Sequence, residues 1–158
     1  DIEMEFETVA GPPRITMSVA RGIDDHQERD LTSLAQEQRH HMHWKNVTKE
    51  EMAAYYDTWC FMDCEAFRFY LPAFMMGTLQ AILNENHQGE PAWMTTGFYY
   101  PKRTQIECFS PAQKLCFSKF LEIVSLTILH PLDREHFQRE KMTPWKDLLV
   151  NSPNKASV

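Results

Sequence analysis

Residues 63–84 read D-C-E-A-F-R-F-Y-L-P-A-F-M-M-G-T-L-Q-A-I-L-N, and this apolar stretch decides the fold. Its large apolar side chains recur at steps of three and four, the spacing that places them on one face of a helix. Further apolar residues widen that face, which is typical of a helix buried on most sides. We therefore expect a central helix around which the remaining chain packs. The face consists of Phe67, Tyr70, Leu71, Phe74, Met75, Thr78, Leu79 and Ile82, widened by Phe69, Ala73 and Met76.

Two residues bear on how this helix begins and continues. Asp63 precedes the apolar run, where its side chain can accept a backbone N–H one turn later and cap the helix. Pro72 lies in the middle, and a proline inside a helix removes one hydrogen bond and costs about 3 kcal/mol or more. We therefore expect either one kinked helix or two short helices that meet at residues 70–72.

Helix-start signals recur along the chain. Thr48 and Glu51 have the spacing of a capping box, in which each side chain satisfies the other residue's backbone N–H. Ser110, Pro111 and Gln113 combine a cap, a proline at the first helical position and a glutamine that closes the box. These signals predict a mainly α protein, a single compact domain of five or six helices around the central one.

Length and composition fit one domain. The chain has 158 residues, 43% of them hydrophobic, which is enough to bury a core. We expect the domain to span residues 1–150, with a short extended or hairpin segment near residues 93–108 and a flexible tail at 151–158. No apolar run approaches the roughly 18 residues that a membrane span needs, and no signal peptide is visible, so we expect no membrane partner.

Acidic charge is concentrated at the start of the chain. The net charge is −6, and residues 1–30 alone carry eight acidic and three basic side chains. Such a surface repels nucleic acid and attracts basic proteins, although acidic side chains also simply keep a protein soluble. We expect a basic protein partner and no nucleic acid. Arg68, inside the apolar helix, needs a polar partner, and a buried salt bridge to Asp24 or Asp25 is one hypothesis.

The chain contains four cysteines, Cys60, Cys64, Cys108 and Cys116, and both Cys60 and Cys116 have apolar neighbours on either side. We interpret them as small side chains buried in the core. Cys60 and Cys64 form a C-x-x-x-C pattern across the junction of two predicted helices, a weaker redox or zinc signal than C-x-x-C. No spacing typical of disulfides is visible, which predicts reduced thiols and a cytoplasmic location.

Three histidines, His40, His41 and His43, are weak candidates for a metal site. Neutral imidazoles bind zinc, copper or nickel, but the spacing here matches no zinc pattern. A metal would also need a fourth ligand, drawn from Asp24, His26, Cys60 or Cys64. We interpret the histidines as part of an exposed polar segment and expect no cofactor.

A second polar cluster is formed by Asp24, Asp25 and His26. These side chains could serve as a general base or as metal ligands. Adjacent carboxylates point in different directions on a helix and seldom act as a pair. We therefore interpret the cluster as helix-end capping and solvated acid.

Motifs of the common enzyme classes are missing from the sequence. It contains no G-x-G-x-x-G, P-loop, G-x-S-x-G or H-E-x-x-H, and its five glycines are few for phosphate-binding loops. We therefore expect a protein without enzymatic activity. Trp93, Tyr99 and Tyr100 are candidates for an exposed aromatic anchor, with packing in the core as the alternative.

Several segments resemble an uncharacterised bacterial domain family whose central helix carries F-R-Y-Y-L-P-A-F. The similar stretch here is F-R-F-Y-L-P-A-F-M at residues 67–75, with A-R-G-I-D-D at 20–25 and S-P-A-Q at 110–113. F-x-x-V and P-x-I-T between residues 6 and 16, and Trp44 before a helix, also fit. The resemblance covers residues 5–125 and supplies no known catalytic residues. It implies an association with immunity or antitoxin proteins, which small acidic bacterial proteins of this kind often are.

The leading expectation is an immunity protein that occludes the active site of a cognate, basic toxin in the cytoplasm. Its contact surface is predicted within residues 24–43 or 84–103, where acids steer the toxin and aromatic side chains anchor it. The alternatives are a self-associating scaffold subunit and a small metal-dependent enzyme that uses Asp24, Asp25, His26, His40, His41 and His43. The candidate contact residues are Asp24, Asp25, Glu28, Asp30, Trp93, Tyr99 and Tyr100.

Overall fold

The structure, a computed structural model, describes residues 1–9, 11–26, 31–37, 41–83 and 103–127. Within these ranges the chain forms six α-helices and three short 3₁₀ turns. The mainly helical class predicted from the sequence is confirmed. The helices are α1 (Ile2–Phe6), α2 (Met17–Asp24), α3 (Leu31–Glu37), α4 (Lys49–Ala54), α5 (Cys64–Leu83) and α6 (Pro111–Thr127), and the 3₁₀ turns are Trp44–Asn46, Thr58–Phe61 and Arg103–Ile106.

The chain consists of two units, Asp1–Phe109 and Ser110–Val158. The first contains α1 to α5, and α6 belongs to the second. Residues 103–108, the described part of the segment predicted to be extended, form a 3₁₀ turn followed by a further turn. The rest of that segment and the predicted tail lie outside the described residues. None of the described helices combines the length and apolar character that crossing a bilayer requires.

The central helix α5 runs without interruption from Cys64 to Leu83, through Pro72. The alternative of two short helices is therefore wrong. Asp63 caps the helix as predicted, since its Oδ1 accepts the Ala66 N–H at 2.8 Å. Burying one large apolar side chain contributes about 1.5–3 kcal/mol, so the buried set together outweighs the cost of the proline. The large side chains of α5 that are fully buried are Phe67, Phe69, Tyr70, Leu71, Phe74 and Met75.

Aromatic rings surround the first half of α5. The Trp59 ring meets Phe67 and Phe74 edge-on, at centroid distances of 5.3 and 4.3 Å. Phe109 lies 6.0 Å from Phe6 on α1 and 6.0 Å from Phe67. Such ring pairs contribute about 0.5–1.5 kcal/mol beyond the area they bury. They bring chain segments that are distant in sequence onto one helix.

A buried amide joins residues 103–109 to the turn that precedes α5. Gln105 Nε2 donates to the backbone carbonyls of Trp59 at 2.6 Å and Met62 at 2.8 Å. The end of a short helix leaves carbonyl groups without partners inside the helix. Gln105 therefore supplies donors to the end of the Thr58–Phe61 turn.

A disulfide fastens the same segment to the first residue of α5. Cys64 is bonded to Cys108, so the prediction of reduced thiols is wrong for this pair. The two cysteines lie 44 residues apart, a separation that no spacing pattern reveals. Burial was also wrongly predicted for the others, because Cys60 is exposed and Cys116 is partly exposed.

Arg68 contacts this segment as well. Its Nη1 donates to the backbone carbonyl of Cys108 at 3.1 Å. The guanidinium therefore forms a hydrogen bond with a backbone carbonyl, in place of the predicted salt bridge to Asp24 or Asp25.

Both predicted capping boxes are present. Thr48 Oγ1 accepts the Glu51 N–H at 3.2 Å, and Glu51 Oε2 accepts the Thr48 N–H at 2.9 Å. In the second unit, Ser110 Oγ and Gln113 Oε1 each accept the other residue's N–H at 3.1 Å. The second box opens α6, whose buried side chains include Phe117, Phe120, Leu121 and Val124.

Replacing Cys108 with serine is expected to lower the free energy of unfolding by about 3 kcal/mol, because the disulfide restricts the unfolded chain. Urea denaturation without reductant measures the change. Cys60→Ser is the matched control, since that side chain is exposed, and it should unfold like the parent protein. Equal stability of Cys108→Ser and the parent would contradict the cross-link.

Gln105→Met keeps the length of the side chain and removes the amide donor. We expect a loss of about 2–3 kcal/mol in unfolding free energy, because buried carbonyls at Trp59 and Met62 lose a partner. Gln80→Met, on an exposed position of α5, is the control and should change stability little. An unchanged midpoint for Gln105→Met would show that the amide is dispensable.

Candidate partner-binding groove

The second helix, α2, is held against α3 by one hydroxyl and one glycine. Thr16 Oγ1 accepts the Val19 N–H at 3.3 Å and caps α2. Ser18 Oγ then donates to the Leu34 carbonyl of α3 at 2.7 Å. A Cβ at Gly22 would overlap the end of the Leu34 side chain, so glycine lets that side chain lie directly against α2.

A salt bridge holds the other side of α2. The Arg21 guanidinium pairs with both carboxylate oxygens of Asp57, and its Nη2 also donates to the Ala54 carbonyl at 3.0 Å. A bidentate pair of this kind, with two guanidinium nitrogens facing two carboxylate oxygens, fixes the relative orientation of the two side chains. No local sequence pattern indicates this pair, because the partners are 36 residues apart. Arg21 therefore positions α2 and is already matched by a carboxylate.

A groove of about 920 Å³ opens between α2, α3 and the proline-rich segment before α2. We call it the α2–α3 groove. Its floor is apolar, formed by Ile15, Val19, Ile23, Leu31 and Ala35. Pro12, Pro13, Arg14, Thr32 and Asp63 complete the lining.

Two of the predicted contact residues follow directly after a lining residue of this groove, although they do not line it themselves. Asp24 is the last residue of α2, directly after the groove residue Ile23, and Asp25 is the C-cap. Asp25 and the following His26 are exposed, and His26 has a φ of 56°. The interpretation as a solvated helix end is therefore confirmed for Asp25. We call Asp24 and Asp25 the acidic end of α2.

The described histidines are used in separate structural contacts. His41 is fully buried, contrary to the predicted exposed segment, and its Nε2 lies 3.1 Å from Glu51 Oε2 of the capping box. His43 Nδ1 accepts the Lys45 N–H at 3.2 Å, which leaves the proton on Nε2 to face the Glu7 carbonyl at 3.4 Å. Across the described ranges, no three His, Cys, Asp or Glu side chains are grouped to hold a metal ion.

A smaller cleft of about 360 Å³ is lined by Glu3, Trp44, Lys45 and Lys49, among others. Lys45 Nζ lies 2.9 Å from Glu7 Oε2, 3.6 Å from Glu3 Oε1 and 5.5 Å from the centre of the Trp44 ring. The hydrogen bond to Glu7 raises the pKa of Lys45 and lowers the pKa of Glu7. A lysine that acts as nucleophile or base needs a lowered pKa, so this ammonium is suited to an ion pair.

The phenol of Tyr70 is a second group whose pKa is raised, so it does not titrate near neutral pH. Burial raises its pKa well above its usual value of 10.0, because the phenolate would lose its hydration. The hydroxyl therefore stays protonated in the core of the first unit. The remaining predicted residues, Glu28, Asp30, His40, Trp93, Tyr99 and Tyr100, lie outside the described residues.

Lys45→Met is expected to return the pKa of the Glu7 carboxyl towards its usual value of 4.5. The pair stabilises the fold above that value, and this contribution is lost as the pH falls through the lowered pKa. NMR titration of the Glu7 side chain measures the change, and high salt should reduce it because the pair is exposed. Lys49→Met, in the same cleft, is the control; an identical Glu7 titration in all three proteins would refute the pairing.

Comparison with known proteins identifies a family for this chain but no activity. A family model described as a family of unknown function matches residues 1–145, which extends the resemblance expected over residues 5–125. No curated protein and no solved structure matches the chain. Because the family match covers most of the sequence, the chain belongs to the family of unknown function DUF6714.

Proposed function

We propose that this chain is an immunity protein that binds a cognate bacterial toxin and neutralises it by occluding the active site. The observation that carries the proposal is the mainly apolar α2–α3 groove, one of whose lining residues, Ile23, directly precedes Asp24 and Asp25. Small-molecule sites orient their ligands with a few converging polar groups. The floor of this groove is aliphatic, which suits side chains from the surface of a protein.

The acidic end occupies a position where carboxylates do not help the helix. The C-terminus of a helix carries partial negative charge, so acids there are unfavourable by about 0.3–1 kcal/mol at an exposed site. Asp24 and Asp25 nevertheless stand at the C-terminus of α2. Within the part of the chain that the structure describes, no ion pair compensates these acids, and a residue that breaks a local rule in this way is a candidate for function.

Charge and apolar contact have different tasks in the proposed complex. Asp24 and Asp25 steer a basic cleft towards the groove and accelerate association. Apolar side chains at the rim of that cleft then fill the floor formed by Ile15, Ile23 and Leu31, where desolvation supplies affinity. A stable complex buries about 1,200–2,000 Å² in total, so surfaces beside the groove take part as well.

Two groups with shifted pKa values, Lys45 and Tyr70, are unsuited to acid–base catalysis. General acid–base groups work best with a pKa near the operating pH, whereas the pKa values of Lys45 and Tyr70 are both raised. The alternative of a metal-dependent enzyme has weaker support, since His41 and His43 contact different partners. We therefore propose a protein without enzymatic activity or cofactor.

The cytoplasmic location predicted from the sequence stays a prediction. The Cys64–Cys108 disulfide weighs against it, because disulfides are rare in the reducing cytosol and persist in oxidising compartments. Trapping thiols in intact source cells before fractionation determines where the protein is and whether this pair is oxidised there.

The decisive experiment isolates the partner and then tests neutralisation. Protein purified from the source cells is analysed for a bound basic protein at a one-to-one ratio, identified by mass spectrometry. That partner, produced alone in a test bacterium, should arrest growth, and production of this chain with it should restore growth. A partner that is harmless when produced alone, or that stays toxic beside this chain, contradicts the immunity function.

Thr32→Arg is expected to weaken toxin binding at least about tenfold, because a long cation then projects into the α2–α3 groove and repels a basic partner. Ser33→Arg is the matched control: it is exposed on the same helix, makes the same change in charge and does not line the groove. Titration calorimetry measures both. Equal losses for the two variants would place the contact outside the groove.

A further inference from the structure

The last described helix, α6, carries a second row of apolar side chains on its solvent side. Leu115 is 56% exposed, Ile123 is 44% exposed and Leu126 is 54% exposed. The buried row of the same helix, which includes Phe117, Phe120 and Val124, is offset from this one around the helix axis. Amphipathic helices normally place polar residues at the exposed positions.

Four exposed residues on this side of α6, two leucines and two charged residues between them, form a row with a symmetric order. Leu115, Lys119, Glu122 and Leu126 follow one another at steps of four, three and four. All four are exposed, and the steps are those of a coiled-coil seam. The order is the same when read from either end, except that the cation and the anion exchange places.

We propose that this row docks on the same row of a second copy of the chain, with the two α6 helices antiparallel. Antiparallel alignment places Leu115 opposite Leu126 of the second copy and Lys119 opposite Glu122 of the second copy. A two-fold axis repeats both pairs, as an isologous interface requires. Parallel alignment would place lysine against lysine and glutamate against glutamate, which is repulsive.

The central charged pairs determine orientation more than affinity. Desolvating an ion pair offsets much of its Coulomb attraction, whereas a polar pair in a seam specifies register and direction. α6 has 17 residues and a length of about 25 Å, so the seam is short. The dimer is accordingly weak and depends on concentration, and it uses none of the residues of the α2–α3 groove.

Sedimentation equilibrium of the full chain across a wide concentration range tests the proposal. The parent protein should shift from monomer to dimer, and Lys119→Glu or Glu122→Lys alone should raise the dissociation constant at least about tenfold, because each creates two like-charge pairs. An equimolar mixture of the two variants should dimerise again, since a heterodimer restores both opposite-charge pairs. The doubly exchanged variant K119E/E122K should dimerise like the parent.

Glu65→Lys is the matched control, because it makes the same charge change at an exposed position of α5. It should dimerise like the parent, and circular dichroism should show that every variant is folded. A parent protein that stays monomeric at all concentrations overturns the proposal. Single variants that dimerise as tightly as the parent, or a mixture that does not, overturn it as well. Toxin binding is measured separately, so either proposal can fail alone.

Discussion

Burial of α5 on nearly every side is the constraint on which the first unit depends. The ring of Trp59, from the turn before α5, meets Phe67 and Phe74 of α5 edge-on. The apolar gain is large enough that the helix continues through Pro72. Because most positions of α5 are covered by other segments, with Glu65, Gln80 and Leu83 exposed, the neighbouring segments are held at fixed places along it.

Features that depend on neighbours in sequence could be predicted, and those that depend on distant partners could not. The Asp63 cap and the capping boxes require residues three positions apart, and all were correctly predicted. The Arg21–Asp57 pair and the Cys64–Cys108 disulfide join residues 36 and 44 positions apart. Spacing carries no information at such distances, because the backbone between the partners can follow many paths.

The candidate site shows the same division. The sequence identified the acidic end, since charge is visible in composition, but it gave no indication of the apolar floor beside it. That floor combines residues before α2, on α2 and on α3, and it exists because Gly22 and Ser18 bring these helices together. His41 illustrates the opposite error: its polar neighbours suggested exposure, whereas its contact with Glu51 allows complete burial.

The disulfide has a consequence for the integrity of the molecule. It joins the first residue of α5 to the segment held by Gln105, and so it closes residues 64–108 into a covalent ring. A protease that cuts one peptide bond inside the ring opens it without producing two separate fragments. The two pieces remain joined by the disulfide and by the hydrogen bonds of the Gln105 amide. A nicked chain therefore stays one molecule for as long as the cystine is intact.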